Sequence, residues 1–544
     1  MPLKELPARP NLEQFKKQAK DLARDCRLEV PDAIARAHRH LPHFEKPSQS
    51  RVALTEAQLV IAREHGFESW PKFAAHIAAL NLERALSAIA DPVAAFIHAA
   101  CVPRDDHDSG TLDEAEMIRS RYPHAANANI CTAAILADES SVRAQLSRNP
   151  ALATEPGGPH GWDALTHLCF SRYLRLDPSR SEAFVRTARA LLEAGASANT
   201  GWWETIDQPH PRQILESAIY GAAGIAKHPG VTRLLLEYGA DPNDEETPYH
   251  VPEGYDNTVM RILLESGKLT DMSRTWMLAR KADWHDFDGM KLALEFGADP
   301  NATPRWGNSA FQHAIQRDNS LEMIRLLLDH GADPLLRNVH SGRSAAAMAA
   351  RRGRGDVLEL LAERGIDPQL GGVDRLIATC AMAQDAAIEA VFAADPQLRQ
   401  EIVAEGGTLL AQFAGVGNVE GVRCLLALGV PPDALYPEGD GYFEIAKNST
   451  ALHVAAWRGW PATVKLLLER GAPVNALDGR GRTALQLAIR ACVDSYWKRR
   501  RSPQWIEPLL QAGATLDGIE IPCGYDEADE LLRAYAGKPT AGSD

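Results

Sequence analysis

The chain has 544 residues, of which 45% are hydrophobic and 24% are charged, and its formal net charge is −14. A chain of this length exceeds the size of one hydrophobic core, so we expect several domains or an open array of repeats. The acidic balance argues against broad binding to nucleic acids or to anionic membranes, and we predict neither as a partner.

Signals for a membrane or an oxidising compartment are weak along the chain. The start, MPLKELPARPNLEQF, lacks the apolar segment of a secretory signal. The longest apolar run, residues 93–102, is far shorter than the roughly 20 residues that span a bilayer. The eight cysteines are scattered without a CxxC pair, which indicates reduced thiols. We therefore predict a cytoplasmic location.

Residues 1–91 carry apolar side chains at helical spacing, as in NLEQFKKQAKDLARDCR (11–27) and TEAQLVIAREHG (55–66). Gly66 is suited to end one helix, and Ser69 is suited to cap the next. We predict a small N-terminal helical unit over this region.

Beyond residue 91, an apolar helical stretch that ends at a glycine recurs many times. The copies include LLLEYGADPN (234–243), LALEFGADPN (292–301), LLLDHGADPL (326–335) and LLLERGAPVN (466–475). A glycine in this place takes the positive φ of the position that follows a helix. The glycines so predicted are Gly195, Gly239, Gly267, Gly297, Gly331, Gly365, Gly429, Gly471 and Gly513.

A second signature precedes several of these glycines by about 21 residues, as in TALHVAA from residue 450, SAFQHAI from 309 and SAAAMAA from 344. Each copy begins with a Thr or Ser that can cap a helix by accepting hydrogen bonds from its first free amides. Small and apolar residues follow, so each helix is expected to lie close to its neighbours.

Together the two signatures resemble the ankyrin-repeat family, whose unit of roughly 33 residues opens with TPLHxA and contains two antiparallel helices and a β-turn finger. The resemblance covers residues 92–536. It implies an all-α solenoid of about twelve repeats, some of them degenerate, after the N-terminal helical unit. We predict that residues 537–544 form a disordered tail.

Residues 244–257, DEETPYHVPEGYDN, place carboxylates around an imidazole, a combination that suits a metal cation. The same stretch also reads as the TPLH position of a repeat, with Tyr249 in place of leucine. On that reading Thr247 caps a short helix and Pro248 takes its first position, where a missing N–H costs nothing. The acidic residues before Thr247 then belong to a finger and are expected to be solvated.

The resemblance implies a structural role for the histidine of each TPLH-type motif. His250 and His453 are expected to hold the cap and the next finger by hydrogen bonds, with Thr247 and Thr450 as their partners in the motif. We favour this role over a metal site at 244–257.

Two other clusters contain residue types that are used in catalysis. His285 lies among aspartates, but a helix of about eight residues, roughly 12 Å long, separates it from residues 244–250, so the two groups cannot share a cation. His167 and Cys169 are two residues apart and would point in different directions from one helix. Since no established catalytic motif occurs, we predict no catalytic residue, no metal and no cofactor.

Aromatic residues are frequent in the predicted finger segments. Exposed aromatics along one edge of an array are suited to recognition, although packing against a neighbouring finger is the alternative for each of them. The residues predicted to bind a partner are Trp202, Trp203, Tyr249, Tyr255, Trp306 and Tyr442.

These observations predict a non-enzymatic scaffold that binds a macromolecule, a protein of unspecified identity, through its concave face and finger loops. The alternative is an enzyme whose active site lies in the N-terminal unit or in the irregular repeats at 157–290. That region departs most from the repeat pattern, and such departures often mark function.

Overall fold

A computed structural model of the chain describes residues 4–7, 9–41, 52, 54–102, 110–206, 211–495 and 501–536. The predicted tail at 537–544 lies outside the described residues. The chain divides into two compact units, Met1–Trp202 and Trp203–Asp544. The division at residue 91 and the number of repeats stay predictions.

The first unit is built from α-helices, joined in places by short 3-10 turns. Its helices are α1 (Leu12–Arg27), α2 (Pro31–His40), α3 (Leu54–Glu64), α4 (Trp70–Ser87), α5 (Pro92–Ala100), α6 (Asp113–Arg121), α7 (Ile130–Ile135), α8 (Glu139–Arg148), α9 (Ala164–Cys169), α10 (Arg172–Leu176) and α11 (Ser181–Glu193).

Helices α1 to α4 bury one apolar core, which contains Phe15, Leu22, Ile61 and Phe73. The apolar spacing noted in the sequence places these side chains on facing sides of the helices. Beside this core the buried carboxylate of Glu64 is paired with Arg36 and Lys4, at 2.7 Å from each.

The second unit opens with irregular elements and continues as helix pairs. Its elements are β1 (Gly201–Ile206, beginning at the boundary), β2 (Arg212–Ser217), a π-helix (Tyr220–Ile225), α12 (Pro229–Glu237), α13 (Glu246–His250), α14 (Thr258–Glu265), α15 (Asp271–Asp283), α16 (Phe287–Glu295), α17 (Ala310–Gln316), α18 (Leu321–Asp329), α19 (Ala345–Arg351), α20 (Gly355–Glu363), α21 (Gly372–Ala381), α22 (Asp385–Ala394), α23 (Leu398–Ala404), α24 (Gly406–Val416), α25 (Val419–Ala427), β3 (Leu435–Tyr436), β4 (Ser449–Thr450), α26 (Ala451–Arg458), α27 (Pro461–Glu469), α28 (Ala484–Asp494), α29 (Ile506–Gln511) and α30 (Asp526–Ala536).

Local chemistry places the ends of these helices where the sequence predicts them. Ser309 and Thr483 accept hydrogen bonds from the amides of Gln312 and Gln486, three residues into α17 and α28. All nine glycines predicted to follow a helix have positive φ, from 67° at Gly267 to 102° at Gly195. A side chain with a Cβ rarely adopts that backbone, so each glycine ends its helix cleanly.

In successive repeats of the second unit, first helices pack on first helices and second helices pack on second helices. The first helices form one layer, in which α15 packs on α17, α17 on α19, α24 on α26, and α26 on α28. The second helices form another layer, in which α16 packs on α18, α18 on α20, α25 on α27, and α27 on α29. This is the all-α solenoid that the sequence predicts, with each pair of helices burying its apolar faces on its neighbours.

A long insertion, residues 435–450, interrupts this regularity between α25 and α26. Its ends pair as the antiparallel strands β3 and β4, with Leu435 opposite Thr450. Between them, Asp440 reaches Arg352 at 3.3 Å, and the Tyr442 hydroxyl donates to the backbone oxygen of Asp283. The insertion therefore contacts repeats that precede it in the chain by up to 159 residues.

Candidate binding site

The six aromatics predicted to bind a partner lie in different surroundings. Trp202 is buried in the first unit, where its ring stacks on Trp162 with centroids 5.5 Å apart. Trp203 and Tyr255 are exposed, by 59% and 58%. Tyr442 is half-buried, with the guanidinium of Arg317 4.0 Å from its ring centroid.

The structure brings two of the predicted residues, Tyr249 and Trp306, into one cluster. Their ring centroids are 6.2 Å apart, and Trp306 is also 5.7 Å from Trp276 and 6.2 Å from His313. Trp276 and His313 lie on α15 and α17, the stacked first helices of successive repeats. We call these four residues (Tyr249, Trp276, Trp306 and His313) the aromatic cluster.

Arginines cover two rings of the aromatic cluster. The guanidinium of Arg280 lies 4.1 Å from the ring centroid of Tyr249, and that of Arg305 lies 5.1 Å from the ring of Trp276. Both distances are within the range of cation–π attraction. Arg280 also pairs with Glu253 at 2.9 Å, and Arg305 pairs with Glu245, so each guanidinium already has an acidic partner.

Two indole nitrogens of the aromatic cluster make no hydrogen bond within the described part of the chain. Nε1 of Trp276 and Nε1 of Trp306 are both shielded from solvent and have no acceptor there. An indole N–H can only donate, and a buried one normally finds an acceptor. Two donors of the aromatic cluster are therefore unsatisfied within the described residues, and they lie beside the half-exposed rings of Tyr249 and Trp306.

Asp283, at the end of α15, contacts His313 of the aromatic cluster and two nearby arginines. It accepts hydrogen bonds from Nε2 of His313 at 2.8 Å and from Arg317 at 2.5 Å, and it pairs with Arg280. Burial alone would raise the pKa of Asp283, but the hydrogen bond from His313 and the charges of Arg317 and Arg280 hold the pKa well below its usual range. Burial lowers the pKa of His313, so His313 is neutral at neutral pH.

In the TPLH-type motif at 450–453, His453 is hydrogen-bonded through both ring nitrogens. Nδ1 of His453 accepts from the Thr450 amide at 3.1 Å, so Nε2 carries the proton and donates to the backbone oxygens of Ala476 at 2.9 Å and Arg482 at 3.1 Å. Burial is the main cause that lowers the pKa of His453. His453 is thus a neutral ring that links a cap to the next finger.

The motif at 247–250 is built differently. Helix α13 begins at Glu246, and Thr247 does not cap it; its amide and hydroxyl instead donate to Asp244, at 2.7 and 2.8 Å. The expectation of solvated carboxylates before Thr247 is also wrong for Asp244, which accepts from Ser217 as well. A carboxylate three residues upstream is a stronger acceptor than a threonine hydroxyl and takes over the role of the cap.

His250 lies beside carboxylates, whereas His453 forms hydrogen bonds to backbone oxygens. Its Nδ1 lies 3.0 Å from Glu253 and its Nε2 lies 3.2 Å from Glu246. Burial alone would lower the pKa of His250, but the hydrogen bonds and charges of Glu246 and Glu253 raise it to about 9. His250 is therefore a cation at neutral pH.

Glu245 connects this motif to two other segments. Its φ of 74° is strained for a residue with a side chain, and its carboxylate pairs with Arg212, at 2.9 Å, and with Arg305. Strain of this kind persists only where surrounding contacts hold it.

Several residues of this region could not be recognised from the sequence. In the sequence, Trp276 and Arg280 look like ordinary helix residues, because their spacing does not distinguish them from the other residues of α15. Glu216 lies in β2, in a stretch without repeat periodicity, yet it is only 2% exposed. The available signal was a charged residue between apolar ones in the segment QILESAIY (213–220).

The thiol–imidazole pair suspected in the first unit lacks the features of an activated nucleophile. Burial raises the pKa of the Cys169 thiol and lowers the pKa of His167, so both groups are neutral. A reactive cysteine needs the thiolate. An enzyme with its site elsewhere in 157–290 or in the N-terminal unit stays a prediction.

Within the described ranges, no group of three or more His, Cys, Asp or Glu side chains is placed to hold a metal ion. In the same part of the chain, no helix is both long enough and apolar enough to cross a membrane.

The stacked helix pairs, capped first helices and finger segments define a helical repeat protein. The family model described as "Ankyrin repeats (3 copies)" matches residues 276–371, and the one described as "Ankyrin repeats (many copies)" matches residues 425–488. Residues 276–371 and 425–488 are therefore ankyrin repeats.

Two relatives share part of this sequence. A putative ankyrin repeat protein of Rickettsia bellii (strain RML369-C) is 35% identical over 123 residues, which cover 20% of this chain and 48% of the relative. Serine/threonine-protein kinase 12 of Arabidopsis thaliana is 39% identical over 85 residues, which cover 16% of this chain and 17% of that protein. The chain thus spans about half the length of the first relative and a sixth of the second.

Proposed function

We propose that this chain is a non-enzymatic scaffold and that a segment of a partner protein binds at the aromatic cluster. Ankyrin repeats are protein-interaction modules in general, and they do not specify the partner or the face that binds it. The observation that carries the proposal is the pair of indole N–H groups of Trp276 and Trp306, which have no acceptor among the described residues.

The chemistry of the aromatic cluster favours an extended polypeptide with an apolar or aromatic side chain. Both indole N–H groups are shielded from solvent, so the segment reaches them only when the side chains around them move aside. Backbone carbonyl oxygens of the segment would then accept from both indoles and satisfy these donors. The half-exposed rings of Tyr249 and Trp306 are large and stiff, as anchors of an interface commonly are. Because Arg280 and Arg305 already have acidic partners, the segment needs no strong negative charge.

The test compares Trp306 with Trp203, which offers the same side chain at an exposed position outside the aromatic cluster. A partner is first isolated by affinity capture from lysate of the source cells, and its dissociation constant is then measured with each variant. Trp306→Ala should weaken binding about 30-fold or more, as loss of a buried aromatic anchor does. Trp306→Phe keeps a ring but removes the N–H, so its loss should be intermediate.

Trp203→Ala should leave the dissociation constant unchanged, and circular dichroism should show that each variant is folded. Full affinity in Trp306→Ala together with lost affinity in Trp203→Ala would move the binding site from the aromatic cluster to the exposed finger.

A further inference from the structure

Four arginines lie at or near the carboxyl ends of first helices in the second unit. One follows α17, one follows α19, one ends α26 and one lies in the second half of α28: Arg317, Arg352, Arg458 and Arg490. We call these four residues the arginine row. Arg352 and Arg458 both contact the carboxylate of Asp318, at 2.7 and 2.8 Å. One carboxylate of the first helices thus serves two guanidinium groups of the arginine row.

The tip of the insertion, residues 440–444 (DGYFE), brings two further carboxylates to the arginine row. Asp440 lies 3.3 Å from Arg352, and Glu444 lies 2.5 Å from Arg490. The two acidic residues are close together in the chain, yet they reach arginines of two different first helices, α19 and α28. The tip therefore supplies negative charge along the arginine row instead of at one point.

The two aromatic residues between these acids lie against guanidinium groups. The guanidinium carbon of Arg317 is 4.0 Å from the ring centroid of Tyr442, and that of Arg458 is 3.6 Å from the ring centroid of Phe443. Arg352 adds a third contact, 5.1 Å from the ring of Phe443. All three distances are within the range of cation–π attraction. Each member of the arginine row thus contacts the tip through a carboxylate or a ring.

The tip is held in the way that a bound peptide is held. The backbone oxygen of Phe443 accepts from the indole N–H of Trp457 at 2.6 Å. Two backbone hydrogen bonds between Asp440 and Ile445, of 2.9 and 2.8 Å, close the tip into a small loop of its own. Strands β3 and β4, which connect the loop to the repeats, have two residues each. Such a loop can leave the surface without unfolding a helix.

We propose that the tip is an internal ligand of the arginine row, and that it is displaced by a segment of a partner protein that carries aromatic residues between acidic ones. Guanidinium groups pair with carboxylates and stack on rings, so the contacts of the tip show which chemistry the arginine row selects. The tether gives the tip an effective concentration on the order of millimolar, and the segment has to exceed that competition. The arginine row is a surface other than the aromatic cluster, and its binding does not depend on the proposed function.

The probe is the peptide EGDGYFEIA, with an amidated end, which copies residues 438–446. It carries a fluorophore at its amino end, and its anisotropy is measured as it is titrated with the full chain or with the full-chain variant Tyr442→Ser/Glu444→Gln. The tip of this variant lacks its contacts with Arg317 and Arg490 but keeps Phe443, so the variant should fold, which circular dichroism checks. It should bind the peptide about tenfold more tightly than the unchanged chain does, because its own tip competes less.

Two controls test the chemistry of recognition. The peptide QGNGYFQIA has amides in place of the carboxylates, and the variant should bind it about tenfold more weakly. Arg490→Gln, added to the variant, should weaken binding of the first peptide about fivefold, as loss of one ion pair does. Arg364→Gln is the matched control, because Arg364 is similarly exposed, at 27% against 33% for Arg490, and also has an acidic partner, yet it lies outside the arginine row. It should leave the affinity unchanged.

Absence of saturable binding by the folded variant, equal affinity for the two peptides, or equal losses in Arg490→Gln and Arg364→Gln would overturn the arginine row as a binding surface. Equal affinity of the variant and the unchanged chain for the first peptide would show that the tip is not its competitor, and would overturn the internal ligand. Trp306→Ala should bind the peptide as the unchanged chain does, so failure of the aromatic cluster and failure of the arginine row give different results.

Discussion

The motifs at 247–250 and 450–453 share a sequence pattern but differ in charge. His453 holds backbone oxygens and is neutral, whereas His250 lies between Glu246 and Glu253 and is a cation. The pattern therefore specifies where the histidine lies along a repeat, while the neighbouring segments decide its protonation state. A motif that is structural in one repeat becomes part of an electrostatic cluster in another.

The largest expected effect is the cost of replacing His250, and it should depend on pH. Because the pKa of His250 is raised to about 9 in the folded chain, its contribution to stability is fully present below about pH 6.5 and is lost as the pH rises through 9. At about 1.4 kcal/mol per pKa unit, His250→Gln should cost about 3 kcal/mol at pH 6 and little at pH 10. Urea denaturation at each pH measures the difference, and a cost that does not change with pH would mean that His250 is neutral.

Replacing His453 should show the opposite dependence. The pKa of His453 is lowered on folding, so its contribution to stability is fully present above about pH 6.5. The contribution falls as the pH is lowered, because the unfolded chain then binds the proton more readily than the folded chain does. His453→Gln should cost about 1 to 3 kcal/mol at pH 8, through loss of buried hydrogen bonds, and less at pH 5. Unchanged stability at pH 8 would show that this histidine has no structural role.

A smaller effect is expected at Tyr442, one of the residues predicted to bind a partner. Tyr442→Phe removes the hydroxyl that donates to the backbone oxygen of Asp283, and it should cost about 1 kcal/mol in a urea titration. Tyr255→Phe is the control, since Tyr255 is exposed and should lose almost nothing. Equal losses in the two variants would show that the hydroxyl of Tyr442 does not hold the insertion.

The repeat architecture was predictable because its signals are local. A cap such as Ser309 and a glycine such as Gly331 act within one turn of chain, so their positions follow from spacing alone. The aromatic cluster was not predictable, because it depends on which fingers meet. Tyr249 and Trp306 were identified as candidates, but the residues that join them, Trp276 and His313, look like ordinary helix positions.

Trp202 and Trp203 show a different limit of prediction from the sequence. We interpreted them as neighbours on one finger, whereas residues 201–206 form a strand, in which successive side chains point to opposite faces. One tryptophan is accordingly buried and the other exposed. The sequence of a finger does not reveal whether the finger forms a strand, so it could not show that only one of the two tryptophans is exposed.

The insertion at 435–450 also changes how the second unit is expected to unfold. An array held only by nearest neighbours can fray from its ends, one repeat at a time. Here Tyr442 and Asp440 of the insertion contact Asp283, at the end of α15, and Arg352, just after α19, so the repeats in between cannot melt without breaking these contacts. The segment from α15 to α26 should behave as one cooperative block, and it should form slowly, because its closing contacts are far apart in the chain.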